Sequence, residues 1–262
     1  MGHGGGVTVE RWAISSATAQ GTSHVSSGTP CQDAVQHHYE PVNGGNVLLI
    51  VCADGAGSAA RSADGSRWAC DEAMIALQTT LREGGVAALS IASVLQAIES
   101  ARAEIFSRSI DEGVSARDFA STLIVVALTP DTIFVAQIGD GVVVIGQGND
   151  LHIAIEVEQE MLNVTDFLVD TDAMQKVRSW SGPADGITRV AVSTDGLMPV
   201  LIDHRKNRPH LPMFSMFFDA MQSCADETEV SERLSEFMRS EQVNQRTDDD
   251  KSLVLALRKQ AT

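Results

Sequence analysis

The sequence predicts an α+β fold in which sheets are covered by helices. Val47 to Ala53 is a continuous apolar run rich in β-branched residues, the pattern of a strand buried on both faces. Two helical patterns follow it directly, and then the period shortens to that of consecutive strands. The resulting order is strand, two helices, a run of strands, strand, helix, strand, which is not a repeating βαβ unit.

Each element has its own signal. Gly2 to Gly6 has no periodicity and reads as a loose terminus, after which Val7 to Ser15 has strand-forming residues. Val47 to Ala53 stops at Asp54-Gly55, a sharp end. From Asp64, residues Cys70, Met74, Leu77 and Leu81 recur at helical spacing, and Gly84-Gly85 closes the segment as a C-cap would. Ile91, Val94, Leu95, Ile98, Ala101 and Ile105 define a second helix from Ser90 to about Gly113, and both helices are expected on one sheet face. Phe119 to Leu128, Ile133 to Ile138 and Val142 to Ile145 read as consecutive antiparallel strands, a meander turning at Thr129-Pro130-Asp131 and at Asp140-Gly141. Residues 149 to 185 are mixed and weakly periodic. Ile187 to Ser193 is strand-like again, Val230, Leu234 and Phe237 mark a late helix, and Ser252 to Leu257 is a closing strand.

Composition bounds the function. A chain of 262 residues with 44% hydrophobic residues can bury an ordinary core. No linker interrupts it, so one domain over residues 1–262 is expected. The 35 acidic against 19 basic residues give a formal charge of -16, which disfavours phosphate backbones and anionic membrane surfaces as partners. No apolar run approaches the roughly 18–20 residues of a membrane span, and no signal-peptide pattern opens the chain. A cytoplasmic protein is the expectation. Cys31, Cys52, Cys70 and Cys224 lack Cys-x-x-Cys spacing and read as reduced thiols, and no histidine pair has metal-ligand spacing.

Three apolar strands end on Asp-Gly, at Asp54-Gly55, Asp140-Gly141 and Asp195-Gly196, and each places a carboxylate at the rim of a sheet. Asp-Gly is also the favoured two-residue hairpin turn, a reading that Asp140-Gly141 invites because strands flank it. Asp54 escapes that reading, since a Gly/Ala/Ser-rich stretch and then a helix follow it. Asp33 and the run Asp248 to Asp250 add acids at further strand edges. If these groups converge, two carboxylates about 4 Å apart repel by roughly 4 kcal/mol at an effective dielectric near 20, so they must protonate or bind cations. Oxygen-only ligands select hard ions such as Mg²⁺ or Mn²⁺.

In order, Gly28-Thr29-Pro30-Cys31-Gln32-Asp33, Ala53-Asp54-Gly55-Ala56-Gly57-Ser58, Ala120-Ser121-Thr122, Gln137-Ile138-Gly139-Asp140-Gly141, Ser193-Thr194-Asp195-Gly196 and Asp248-Asp249-Asp250-Lys251-Ser252 resemble the successive motifs of the PP2C-type (PPM) metal-dependent protein phosphatases. The resemblance spans residues 28 to 252 and is closest to the divergent bacterial branch. It implies a four-layer αββα sandwich, a central antiparallel β-sandwich flanked by helices. It further implies that Asp54 bridges two metal ions, that the Gly55 carbonyl binds one of them, and that Asp195 and Asp249 bind the other. Asp33 would hold a metal-bound water, and Asp140 would help bind a third ion of bacterial members. The cofactor would be Mn²⁺ or Mg²⁺. The reaction implied is hydrolysis of phosphoserine and phosphothreonine in protein substrates by a metal-bridging hydroxide attacking phosphorus in line, reversing a cognate kinase.

Two positions depart from the family pattern. Ala56 stands where many members have a histidine general acid, and Gly28 stands five residues before Asp33, where a phosphate-binding arginine is usual. His24, Arg61 and Arg67 are nearby candidates for phosphate capture, but His24 reads at least as well as a solvated loop residue, and Arg61 and Arg67, which precede or open a helix, more often just sit in solvent. Losing the general acid predicts slow turnover or a preference for good leaving groups such as phosphotyrosine. The alternative is a pseudophosphatase, a regulatory module that keeps the metals and binds phosphoprotein. Residues 149–183 lie where such phosphatases carry a flap. Met161, Leu162, Phe167 and Leu168 within it read as core residues, with contact to a protein substrate as the alternative.

Overall fold

In the computed structural model, which describes residues 10–43, 45–155, 165–203 and 205–260, the chain opens with strand β1 (Glu10–Ala19) and a short helix α1 (Thr22–Ser27). The antiparallel pair β2 (Ala34–Val42) and β3 (Gly45–Ala53) follows. Two long helices come next, α2 (Ser62–Gly84) and α3 (Ile91–Glu112). The latter is capped by reciprocal Ser90 and Ser93 side-chain bonds and ends at Gly113 in the left-handed region. Four strands succeed them: β4 (Leu123–Leu128), β5 (Thr132–Ile138), β6 (Val142–Gln147) and β7 (Asp150–Ile153). The rest comprises α4 (Ala173–Lys176), β8 (Arg178–Pro183), β9 (Arg189–Ser193), α5 (Met198–Leu201), the short pair β10 (Ile202–Asp203) and β11 (Arg208–Pro209), α6 (Leu211–Ser223), α7 (Glu227–Met238), α8 (Glu241–Asn244) and β12 (Lys251–Gln260).

The strands form two five-stranded antiparallel sheets, ordered β1-β12-β9-β6-β7 and β2-β3-β4-β5-β8. Period-2 alternation sorts each strand's side chains between two cores. In β3, Val47, Leu49, Val51 and Ala53 face α2 and α3, while Leu48, Ile50 and Cys52 face the other sheet. In β12, Leu253, Leu255 and Leu257 face α6 and α7, while Val254 and Ala256 face back between the sheets. Three apolar layers thus separate four layers of structure, α on β on β on α, as expected. A strand buried on both faces can have no polar side, which is why these runs are continuous.

The structure corrects the expected meander. β4 and β5 are antiparallel neighbours, but β5 pairs next with β8, and β6 pairs with β9 and β7 in the opposite sheet. Gly139 to Gly141 is therefore a crossing between sheets, not a hairpin turn. A Cβ at Gly141 would lie 2.7 Å from the Ser193 carbonyl oxygen of β9. The glycine answers this close approach of two backbones. Phe119, expected in a strand, ends a 3-10 turn from Ala116. Within 149–183, the described residues supply an edge strand to each sheet, β7 and β8. Leu168 is fully buried and Phe167 packs against the α2/α3 core, whereas Met161, Leu162 and the glycines of the first six residues lie outside the described residues. Cys31, Cys52, Cys70 and Cys224 are free. Among the described residues no helix is long and apolar enough to cross a membrane.

Candidate metal centre

Sheet register brings the acidic positions together. Ala34 of β2 pairs with Ala53 of β3, which sets Asp33 beside Asp54. Asp54 lies across from Thr122: its N–H donates to the Thr122 hydroxyl at 2.9 Å, and the Thr122 N–H donates to its carbonyl at 2.8 Å. In the other sheet Val142 pairs with Ser193 and Ser193 with Leu253, so Asp140, Asp195 and Asp249 leave their strands at the same end. Carboxylate oxygens of Asp54, Asp140 and Asp195 all lie within 4.8 Å of one another.

Further polar groups hold this arrangement. The Thr194 hydroxyl donates to Asp33 Oδ2 at 2.8 Å, and the Thr165 hydroxyl donates to Asp140 Oδ2 at 2.6 Å. Arg178 of β8 donates to the Gly139 carbonyl at 2.6 Å, next to Asp140. Asp250, buried at 2% exposure, is not aimed with Asp249: its Oδ1 accepts the Gly21 N–H at 2.6 Å, and its Oδ2 accepts the Gln32 N–H at 2.5 Å and His24 Nδ1 at 2.8 Å. It therefore fixes the chain directly ahead of Asp33. Thr165 and Arg178 were not legible as site residues; Asp250 was legible only as one acid of the run Asp248 to Asp250, and Thr194 only by adjoining Asp195.

The electrostatics of the cluster are those of crowded acids. Burial raises Asp54 well above the ordinary carboxylate range, and the neighbouring charges of Asp33 and Asp195 raise it further. Asp195 is pushed up to about 7, first by burial and then by Asp140 and Asp249. Asp33 is likewise pushed up to about 7, with burial the dominant cause. Its Oδ1 is buried without a hydrogen-bond partner among the described residues. A set of oxygen donors that suppress one another's ionisation, with one buried oxygen left over, fits hard divalent cations. Asp54, Asp140 and Asp195 form the tight group, and Asp249 acts on both Asp54 and Asp195 from its flank.

A family model described as protein phosphatase 2C matches residues 20–239. The chain belongs to the protein phosphatase 2C family. Serine/threonine-protein phosphatase 3 of Escherichia coli is 34% identical to this phosphatase 2C chain over 250 residues, 94% of this chain and 98% of the relative. Among solved structures, the serine/threonine phosphatase of S. agalactiae superposes with a TM-score of 0.64 at 18% identity, covering 94% of this chain and 99% of that one. The catalytic domain of the phosphatase PstP, in complex with 2 manganese ions, superposes at 0.61 with 16% identity, covering 96% and 99%. These likenesses show the shared fold.

Against that background the departures of this phosphatase 2C chain stand out. Ala56 is buried at 5% exposure and carries no proton to give, and its N–H is committed to the Ala120 carbonyl. Gly28 ends α1 in the left-handed region, exposed. The cations considered for phosphate capture are engaged elsewhere. Arg61 bonds Asp64 and Glu112 and stacks on Phe119, Arg67 bonds Asp64, and His24 is held by Asp250.

Proposed function

We propose that the chain is a metal-dependent protein phosphatase that hydrolyses phosphoserine and phosphothreonine in protein substrates, undoing the work of a Ser/Thr kinase. The observation that carries the reading is the convergence of Asp54, Asp140 and Asp195 on one point at the ends of both sheets. In this reading Asp54, the Gly55 carbonyl, Asp195 and Asp249 would hold two divalent ions, Mn²⁺ or Mg²⁺, Asp140 would contribute to a third, and Asp33 would orient water beside them. When bound, such ions lower the pKa of water and neutralise phosphoryl oxygens. Water would add its oxygen to phosphorus in line as the ester P–O bond breaks, giving one proton up to solvent, and the departing alkoxide would take one proton from solvent to become the free hydroxyl. The residues of the chain supply positioning: Thr122 fixes the backbone of Asp54, and Thr194 fixes the Asp33 carboxylate. Ala56 leaves leaving-group protonation to solvent, so turnover on alkyl phosphates is expected to be slow relative to aryl phosphates.

The test is phosphate release from a phosphothreonine peptide and from an aryl phosphate, with Mn²⁺ and with excess chelator. Release with the metal only, lost in Asp54→Asn, is the expected result. Absence of release on both substrates from folded, metal-loaded protein overturns it. That outcome favours the second reading, for which Ala56 and the engaged state of Arg61 and Arg67 speak: a pseudophosphatase that binds phosphoprotein without turnover.

A further inference from the structure

The chain carries a formal charge of -16, yet three of its 19 Lys and Arg residues, Arg205, Lys206 and Arg208, fall within seven positions from His204 to His210. They belong to the loop and edge that join β10 to β11. A cavity of about 740 Å³ opens between this hairpin, the β6–β7 hairpin and the start of α6. Lys206 and Arg208 line one side, and Asn149 and His152 line the other. Ile153 and Leu211 add apolar wall, the latter 38% exposed. Two acids stand nearby: Asp150 lines the cavity, and Asp203 meets Lys206 at 3.5 Å. Lys206 remains 72% exposed beside it, a contact too open to neutralise it strongly.

The cavity is separate from the carboxylate cluster. Asp140 precedes β6 and the β6–β7 turn ends it, so at about 3.3 Å per residue the turn lies roughly 20 Å along the strand from Asp140. We infer that this cavity docks a short acidic peptide segment of a partner protein, one that also presents an apolar side chain. Charge complementarity carries the identity of the partner: the chain as a whole is strongly acidic, and in the lining of this concave site Lys206 and Arg208 outnumber the single acid Asp150. The apolar wall argues for a peptide over a bare anion, because an inorganic ion would use Lys206 and Arg208 and leave Ile153 and Leu211 uncovered.

The experiment is fluorescence anisotropy of a labelled peptide of alternating Glu, Asp and Leu, titrated with the full chain in chelator so that no ion links peptide to the carboxylate cluster. Saturable binding is expected, weakened about tenfold or more by Lys206→Glu with Arg208→Glu and unchanged by Arg233→Glu, a control reversal on α7. Replacing the leucines of the peptide by serine should also weaken binding. Far-ultraviolet circular dichroism confirms that the variants fold, and Arg208→Ala gives a milder second variant with a smaller loss in the same direction. Absence of saturable binding at low salt, equal loss in the Arg233→Glu control, or displacement by inorganic phosphate as complete as by unlabelled peptide overturns the inference. No step of this assay depends on turnover, so its failure and a failure of phosphate release are distinguishable.

Discussion

Asp54 is the residue at which stability and chemistry oppose one another most directly. Burial and two neighbouring carboxylates disfavour its charge, and its carboxyl can share a hydrogen bond with Asp33 only when one of the two is protonated. An amide of the same shape removes the charge and supplies a donor beside the Asp33 carboxyl, one oxygen of which, Oδ1, has no partner among the described residues. Asp54→Asn is therefore expected to raise the stability of chelated protein near neutral pH by about 1 kcal/mol or more, read from urea unfolding, while abolishing stabilisation by Mn²⁺. A lower urea midpoint in the variant would contradict this account. Asp250 behaves in the opposite way, because three donors surround its two oxygens. In Asp250→Asn one oxygen becomes an NH₂ facing a donor, and a loss of about 1–3 kcal/mol is expected with and without metal. Equal urea midpoints for variant and parent would remove that role. The sequence could not separate these neighbours: Asp248, Asp249 and Asp250 are chemically one run, and only the fold exposes the first, half-buries the second and buries the third. Asp54, Asp140 and Asp195 were legible because each follows an apolar strand, a local signal of where a sheet ends.

Elements were legible where burial imposes a period and obscure where contacts are remote in sequence. The ranges of α2 and α3 follow from helical spacing and glycine stops, and β3 from its unbroken apolar run, whereas β4 starts at Leu123, four residues later than its pattern suggests, because Phe119 ends a 3-10 turn. By contrast β6 carries the same strand pattern whether it pairs with β5 or with β9, so its sheet was fixed by the Gly141 crossing and not by periodicity. The edge strands β7 and β8 alternate only between half-buried and exposed positions, so neither has a fully buried face to demand an apolar row, and α1 has no buried residue to mark it. Gly65 shows how an element reaches the site. It lies in α2 where a Cβ would stand 2.1 Å from the Phe119 carbonyl oxygen, a backbone atom that cannot swing aside. Phe119 adjoins Ala120, whose carbonyl accepts the Ala56 N–H two residues beyond Asp54. Gly65→Ala should cost about 1–3 kcal/mol by overpacking, seen as a lower thermal midpoint, and should weaken Mn²⁺ binding as well. Unaltered metal affinity in a destabilised variant would confine the effect to the helix.

At the scale of the whole molecule, the carboxylate cluster couples folding to pH in a direction opposite to ordinary acid denaturation. The reference value for these carboxyls is 3.8, and the fold raises Asp33 and Asp195 to about 7 and Asp54 further. The folded, metal-free protein thus retains protons that the unfolded chain has released, and its stability falls as pH rises. The contribution of Asp33 and Asp195 is fully present below the reference value and is lost as pH rises through their folded value; that of Asp54 is lost higher still. The thermal midpoint of chelated protein should then decline from about pH 5 to about pH 8. General repulsion among the surface charges also grows across this window as the seven histidines lose their charge, but salt screens that repulsion, whereas a buried cluster is screened much less. The decline should persist in high salt and flatten in Asp54→Asn. A divalent ion competes with the same protons, so the midpoint gained from Mn²⁺ should be small near pH 5 and largest near pH 8. Scanning calorimetry across that window, with chelator and with Mn²⁺, decides the matter. A flat chelated profile, or a metal increment independent of pH, would mean that the carboxylates are not held protonated by their shared burial.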